Sequence, residues 1–347
     1  YTSDTDQFTQ EIRLSGVSKG GAEWTAGFFY FDEDRGSTST IRDFETVQRP
    51  DTIGDLDTES WAVFGQAAMP LGDQFRVIGG LRYTDDEKDL SVQASPLPID
   101  PVNVQDDQVS WDFSGIFSVS DKLRFYGRIA SGFRAPTIQG RDIAFFGAPS
   151  TARSEEIVSV EAGIKATLAD DRLRLNGSIY RYRIDDMQFS AIGGAGNLIQ
   201  LVNADKGNGT GLDVDLEWLV AGGFSATAGV SYNHTELDDP NLRIAPCGSG
   251  LCTISDPLDA NGNVIVDGNS FPQAPEFLAN LILKYAHDFG SDDQLFVTID
   301  YAHLGDTSFF LYESQEFNND SAFELGLRAG VSFNEGSWEL AVFGRNI

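Results

Sequence analysis

Residues 154–188 read SEEIVSVEAGIKATLADDRLRLNGSIYRYRIDDMQ, and apolar side chains recur in them at every second position. The first apolar series comprises Val158, Val160, Ala162, Ile164, Ala166 and Leu168. The residues between them are Ser159, Glu161, Gly163, Lys165 and Thr167. Because successive side chains of a strand point to opposite faces, this spacing turns one face towards apolar surroundings and the other towards water. Asp170 and Asp171 then form a tight turn, so the stretch predicts two antiparallel strands.

The same period of two recurs along most of the chain. The alternating segments run about 10–14 residues, which reaches the 9–11 needed to cross a bilayer at a tilt and exceeds the roughly 5–6 of an average globular strand. About fourteen segments are predicted, near 6–17, 22–33, 57–69, 74–88, 107–119, 122–135, 154–169, 172–189, 197–219, 224–237, 274–288, 293–306, 317–333 and 337–347. A soluble sandwich would also alternate, so alternation alone leaves the class open.

The connections between these segments alternate between short and long. The short ones are 18–21, 70–73, 120–121, 170–171, 221–223, 290–292 and 334–336, and most carry the Gly, Asn and Asp residues of tight turns. The long ones are 34–56, 89–106, 136–153, 190–196, 238–273 and 307–316. Such sorting puts every tight turn on one side, as in outer-membrane barrels, which have short periplasmic turns and long extracellular loops. We therefore predict an all-β fold, a transmembrane antiparallel β-barrel.

Aromatic residues support two belts at opposite strand ends. Trp24, Trp218 and Trp338 lie beside short turns. Trp61, Trp111 and Tyr232 lie towards the long connections. Amphipathic rings favour the level of the lipid headgroups, so this distribution fits the two interfaces of a membrane.

Composition excludes several classes of protein. Against 24 Lys and Arg stand 53 Asp and Glu, giving a formal charge of −29, so no nucleic-acid partner is expected. The hydrophobic fraction of 41% and 25 Phe argue against disorder. No apolar run is long enough for a spanning helix, and the two Cys exclude a disulfide-built scaffold. No Ser/His/Asp group or carboxylate pair is brought together, so we expect no enzyme and no bound cofactor or metal.

Several phrases resemble the barrel of TonB-dependent outer-membrane receptors. They include SGFRAPTIQ from Ser131, the stretch 154–188, LVNADKGNGTGLDVDLEWL from Leu201, FPQAPEFLANLILKY from Phe271 and the closing GSWELAVFGRNI. The opening TQEIRLSG followed by WTAGFFYFDED resembles a pair of middle barrel strands of the same family. The resemblance covers residues 1–347 in the family's order.

The resemblance implies a barrel of 22 antiparallel strands around an N-terminal plug, of which about fourteen strands are present here. The plug, the first strands and the last strand are not in this sequence. The polar, acidic start at Tyr1 is no signal peptide, so we expect the chain to be a piece of a longer protein.

The resemblance also implies a function. It implies active uptake of a scarce large ligand across the outer membrane of a Gram-negative bacterium, with a ferric siderophore the foremost cargo. The partners would be TonB and the inner-membrane motor complex, acting through the plug, and the outer-membrane lipid around a monomer. The alternatives are a passive porin, a receptor for carbohydrate or cobalamin, and a soluble all-β binding module.

Candidate ligand contacts lie in the segment Phe133–Pro136 that opens a long connection and in the connection itself. Arg134, Arg141, Phe145 and Phe146 would stand at the mouth of the barrel, where guanidinium and aromatic groups suit an anionic, partly aromatic ferric chelate. The absence of a His from 136–153 weakens a haem interpretation.

Two further features lie in the longest connection. Cys247 and Cys252 are expected to form a disulfide, because the cell surface is oxidising. Asp259-Ala260-Asn261-Gly262-Asn263 loosely resembles a calcium loop, but Gly262 comes too early and Ser270 stands where a bidentate Glu is needed. Asn261-Gly262 is better interpreted as a hairpin tip.

Overall fold

A computed structural model describes residues 1–40, 51–95, 97–194, 196–248, 252–290 and 292–347. Fourteen long strands form the main sheet: β1 (Thr2–Val17), β2 (Glu23–Ser39), β3 (Thr52–Leu71), β4 (Phe75–Ala94), β5 (Val102–Ser120), β6 (Leu123–Arg134), β9 (Glu155–Leu168), β10 (Leu173–Gly193), β11 (Leu198–Leu219), β12 (Phe224–Leu237), β15 (Phe277–Phe289), β16 (Asp293–Leu304), β19 (Ala322–Phe333) and β20 (Trp338–Arg345). Six short strands form three hairpins in the connections: β7 (Thr137–Gln139) with β8 (Ser150–Ala152), β13 (Arg243–Ile244) with β14 (Val264–Ile265), and β17 (Thr307–Ser308) with β18 (Asn318–Asn319).

Each long strand pairs antiparallel with its neighbours along the chain, which confirms the predicted all-β architecture and the number of strands. The sheet runs from β1 to β20 in sequence order, and within the described residues no ladder joins these two strands. The described residues include no helix that is both long and apolar enough to span a membrane.

Cross-strand register aligns like residues on each face of the sheet. Ile179 of β10 lies opposite Ala162 of β9 and Leu212 of β11, which makes a continuous apolar row. On the other face Glu161 lies opposite Arg128 of β6 and Tyr180 of β10. The sheet therefore has an apolar face and a polar face, as the alternation predicts.

The apolar face is accessible throughout the middle of the sheet. Ile179 and Leu81 are each 64% exposed, and Val160 is 52% exposed. A soluble sandwich would bury such residues between two layers, because leaving a large aliphatic side chain in water costs about 1.5–3 kcal/mol. A hydrocarbon environment removes that cost.

The predicted short connections are tight turns in the structure. The four residues 169–172 join β9 to β10, and Ala169, Asp170 and Asp171 all have positive φ. Gly72 at φ 75° and Gly290 at φ 71° occupy the same left-handed region in two other turns, where glycine avoids a steric penalty. Ser291 of the predicted turn 290–292 lies outside the described residues.

Three predicted long connections are shorter than expected. β2 continues to Ser39 and β3 begins at Thr52, so the connection predicted at 34–56 shrinks, and its residues 41–50 lie outside the described residues. β4 and β5 likewise extend into 89–106. The connection predicted at 190–196 also shrinks, because β10 continues to Gly193 and β11 begins at Leu198, and Ala195 lies outside the described residues. Polar sequence hid these extensions, because beyond the membrane both faces of a strand meet water while the ladder still satisfies the backbone.

Buried apolar residues concentrate in the connections at one end of the sheet. The larger group, called the packed loop cluster here, joins β10, β11 and β12 to the connections that follow β12 and β16. Its buried members are Ile184, Ala191, Ala204, Leu237, Ile244, Val264, Val266, Phe271, Leu311 and Tyr312. A smaller group of Leu90, Ile138 and Ile143 joins β4 to the connection after β6.

Candidate ligand-binding site

The connection between β6 and β9 carries three of the four predicted contact residues and folds back over the polar face of the sheet. Pro136 follows β6, where its missing N–H ends the ladder. The chain then forms the β7–β8 hairpin around a short 3-10 helix, Arg141–Phe145. Phe146 ends that helix in the left-handed region, at φ 64°, with its backbone N–H bonded to the carbonyl oxygens of Asp142 and Ile143.

Gln188 of β10 holds both ends of this connection together. Its side-chain Nε2 donates to the carbonyl oxygens of Ala135 and Arg153, each at 2.8 Å. Glu155 Oε2 accepts the backbone N–H of Gln188 at 2.6 Å. Gln188 is only 5% exposed, so these bonds form in a desolvated position, where losing a partner costs about 1–3 kcal/mol.

β11 fixes the middle of the same connection. Gln139 Nε2 donates to the Ile199 carbonyl at 2.8 Å, and the Asp142 carboxylate accepts the Ile199 N–H. Ser150 Oγ accepts the Leu201 N–H at 3.0 Å. These residues bond to the stretch of β11 that extends beyond its pairing with β12, which begins at Gly207. Side chains of the connection thus take the place of a neighbouring strand.

A cleft of about 550 Å³ remains between the 3-10 helix and the polar face of β2, β3 and β4. Its volume lies within the roughly 300–1,000 Å³ range of small-molecule sites. Its apolar floor consists of Leu56, Leu90, Val92, Ile138, Ile143 and Ala144. Its polar rim carries Arg35, Arg141, Gln139, Ser37, Ser39, Thr52 and Tyr1.

The structure brings two of the four predicted contact residues together in this cleft. Arg141 and Phe145 both line it, and the Arg141 guanidinium lies 5.7 Å from the centre of the Phe145 ring, a cation–π distance. Arg134 is exposed at the end of β6, and Phe146 is 50% exposed beside the helix. Neither of these two residues is part of the cleft lining among the described residues.

Arg35 is the lining residue that sequence reasoning missed, because it falls within the connection predicted at 34–56. In the structure β2 includes this residue, and Arg35 lies opposite Thr5 of β1 and Leu56 of β3. Continuing the alternation of β2 past Phe31 would have placed Arg35 on the polar face. The available signal was therefore periodicity alone, without any motif.

The packed loop cluster occupies the neighbouring part of the same end. Leu237, Val264 and Tyr312 are each at most 1% exposed. Tyr312 Oη donates to the Ile192 carbonyl at 3.5 Å, and burial raises the pKa of the Tyr312 phenol. This region leaves little room for a ligand because protein side chains fill it.

The Cys247–Cys252 disulfide lies at the edge of the packed loop cluster. The two sulfurs are bonded, with 6.3 Å between the Cα atoms, and residues 249–251 between them lie outside the described residues. The backbone of Cys247 forms an isolated parallel β-bridge with Gly194 at the β10–β11 turn. Gly248 N donates to Asn197 Oδ1 at 2.8 Å. Cys247 and Gly248 thus lie against that turn.

Asp259 organises the segment that resembles a calcium loop. Its Oδ1 accepts the N–H groups of Asn261 and Asn263 at 2.8 and 2.9 Å, and these bonds lower the pKa of the Asp259 carboxyl. Gly262 has φ 81°, and Leu258 bridges to Val264, which makes a hairpin tip. Across the described part of the chain, no group of three or more His, Cys, Asp or Glu side chains is arranged to hold a metal ion.

Charged side chains on the polar face of the mid-sheet interact mainly with one another and with aromatic rings. The Arg82 guanidinium lies 5.4 Å from the Phe29 ring centre and 5.6 Å from that of Phe64. Tyr126 donates to Glu161, and Arg128 forms an ion pair with Asp112. This face is wettable, as the lumen of a large barrel must be.

A fourteen-stranded antiparallel sheet with an apolar face, tight turns at one end and a cleft at the other defines the wall of an outer-membrane β-barrel. Residues 1–347 match the family described as "TonB dependent receptor-like, beta-barrel". The chain therefore belongs to the TonB-dependent receptors of the Gram-negative outer membrane. These are receptors and transporters, so the prediction that the chain is not an enzyme is confirmed.

Curated and solved relatives support this assignment. The chain is 26% identical over 229 residues to the pesticin receptors of Yersinia enterocolitica and Yersinia pestis, which is 63% of this chain and 32% of each relative. Structurally it resembles the ferric yersiniabactin uptake receptor FyuA from Yersinia pestis, at TM-score 0.75 and 19% identity over 99% of this chain and 49% of that one. It also resembles the copper transporter OprC, at TM-score 0.68 and 15% identity over 99% of this chain and 51% of that one.

These matches define the extent of the likeness. The chain spans about a third of the curated relatives and about half of the solved receptor chains that it resembles. The structural identities are below 25%, so they establish the fold of the barrel wall and not the cargo.

Proposed function

We propose that this barrel serves in active uptake of a ferric siderophore across the outer membrane. The observation that carries the proposal is the cleft at the end of the sheet opposite the tight turns, lined by Arg141 and Phe145. By the sidedness of such barrels this end faces the cell exterior, where a scarce ligand would be captured. FyuA is a ferric yersiniabactin uptake receptor and PiuA from Acinetobacter baumannii is a siderophore receptor, and the similar fold of these two proteins supports this cargo.

Capture alone does not move a ligand inward against its gradient. We therefore propose that TonB and the inner-membrane motor complex supply the energy and act through a plug domain beyond residues 1–347. We also propose that the receptor works as a monomer within outer-membrane lipid. Arg134 and Phe146 remain proposed contacts at the rim of the cleft, where a ligand larger than 550 Å³ would reach them.

A copper transporter among the similar structures favours a second cargo class, because the same wall accommodates metal transport of another kind. Uptake assays in the source bacterium separate the cargoes. Cells carrying or lacking the full natural gene receive ⁵⁵Fe-loaded siderophores or copper, with and without a protonophore. We expect gene-dependent ⁵⁵Fe uptake that the protonophore abolishes. Uptake that persists without energy would indicate a passive porin, and gene-dependent copper uptake alone would replace the siderophore proposal.

A further inference from the structure

We infer that the cleft recognises a carboxylate attached to an apolar or aromatic body, and that Arg35 and Arg141 bind this carboxylate together. The inference rests on the proposed role of the cleft as the ligand site and goes further by assigning the chemistry that the site selects. It also assigns Arg35, a residue outside the predicted contacts, to the site.

The first observation is the distribution of charge. The chain carries 53 Asp and Glu against 24 Lys and Arg, yet the sixteen described residues that line the cleft include two Arg and no Asp or Glu. Neither Arg35 nor Arg141 forms an ion pair with another described residue, although eleven other described Lys, Arg and His side chains do. Two guanidinium groups that form no ion pair within the described residues provide a local site for an anion in an acidic protein.

Strand alternation places three nearby carboxylates on the face opposite this positive rim. Asp34, the residue before Arg35, lies opposite Asp57, and Asp57 lies opposite Asp89, so the three carboxylates share the other face of the sheet. On the cleft face, Arg35 has Thr5 and Leu56 as its direct cross-strand neighbours. The sheet thus keeps these three carboxylates away from the guanidinium that would bind the ligand, whereas Glu33, two residues before Arg35, shares its face but is not part of the cleft lining.

The second observation is the apolar lining behind the arginines. Leu56, Leu90 and Ile143 form the floor, and the Phe145 ring lies beside Arg141. A small inorganic anion would leave this surface in water, whereas an aromatic acid would cover it and gain about 25 cal/mol for each Å² of apolar area buried. The cleft therefore favours an amphipathic acid over both a free anion and a neutral sugar.

The test uses a matched pair of iron-free probes, naphthalene-2-carboxylate and naphthalene-2-carboxamide, which share one ring system and differ in charge. Binding to the detergent-solubilised full natural protein is measured by equilibrium dialysis at low salt. The variants are Arg35→Gln, Arg141→Gln and the double variant, and the control is Arg183→Gln, because Arg183 lies outside the cleft and its Nε bonds to Asp185 at 2.9 Å. Unchanged thermal unfolding shows that each variant is folded.

We expect the carboxylate to bind about tenfold more tightly than the carboxamide, since one charge-assisted interaction is worth about a tenfold change in affinity. Each cleft variant should remove most of that preference, while Arg183→Gln should retain it. Equal binding of the two probes, binding of neither probe, or a preference that survives the double variant would overturn the inference. The ⁵⁵Fe uptake assay decides the proposed function separately, because the probes contain no iron.

Discussion

Ile179 and Ile184 lie five residues apart on β10 and have opposite surroundings. Ile179 is 64% exposed on the apolar face, whereas Ile184 is 9% exposed on the polar face, inside the packed loop cluster. The same residue type thus meets lipid in the wall and protein at the extracellular end. The surroundings of the apolar side chains therefore change along one strand, from lipid to protein. The wall depends on the membrane for its stability, and the extracellular end depends on its own packing.

Removing a buried side chain from the packed loop cluster should produce the largest effect. Leu237→Ala should destabilise the connections after β12 and β16 by roughly 2–5 kcal/mol, because Leu237 is 1% exposed and the cavity cannot be filled by water. Hydrogen exchange in those connections measures the loss. Leu258→Ala in the same connection is the control, because Leu258 is 53% exposed and should change protection little. Equal effects of the two substitutions would contradict the packing described.

A charge introduced on the apolar face of the wall should have the second-largest effect on stability. Ile179→Lys should destabilise the barrel in lipid by roughly 2–4 kcal/mol, the cost of a lysine near the bilayer midplane. Urea titration of the full natural protein in vesicles measures it. Ser178→Lys, on the polar face one residue away, should cost far less. If both lysines were tolerated alike, this part of β10 would not face lipid.

The Gln188 bonds should have a smaller effect, confined to the connection between β6 and β9. Gln188→Leu removes the Nε2 donor from the carbonyls of Ala135 and Arg153 and should reduce local protection by about 1–3 kcal/mol. Hydrogen exchange over residues 135–154 reports the change. The packed loop cluster provides the internal control, because its protection from hydrogen exchange should stay unchanged. Loss of protection throughout the extracellular end would show that the connections open as one unit.

The smallest effect should come from acid at the Asp259 tip. The backbone bonds hold the pKa of Asp259 below its ordinary 3.8, so the carboxylate stabilises the tip at neutral pH. That contribution is complete above pH 3.8 and is lost as the pH falls through the lowered pKa. NMR protection factors for the Asn261 and Asn263 amides should therefore fall below pH 3.8, and Asp259→Asn should remove the pH dependence. A pH-independent protection in the natural protein would contradict these bonds.

The sequence predicted the wall well and the extracellular end poorly, for a physical reason. In the wall, the odd or even position of a residue along its strand decides which face it lies on. The residues from Val158 to Leu168 could therefore be assigned to faces by alternation. Turn residues such as Gly72 identified the strand ends. The family resemblance added the order of the strands.

The cleft and the packed loop cluster depend on contacts between distant segments. Ile143 meets Leu90 across 53 positions of sequence, and Tyr312 meets the end of β10 across 120 positions. The period of two along a strand does not predict such contacts between distant segments. Arg35 was not among the predicted contacts because polar residues beyond the membrane hide the continuation of β2. Arg141 and Phe145 follow Pro136 in a clear connection, so the sequence could place them in it, and their contact with a ligand stays a prediction.

The claim that one face of the strands contacts lipid is tested most directly by a nitroxide scan of β9. Each residue from Val158 to Leu168 is replaced in turn by a spin-labelled cysteine in the full natural protein, reconstituted in vesicles, and collision rates with oxygen and with a water-soluble nickel chelate are measured. Oxygen collisions should peak at Val158, Val160, Ala162 and Ile164 and fall at Ser159, Glu161 and Gly163. Collision rates that lack this period of two would contradict the account.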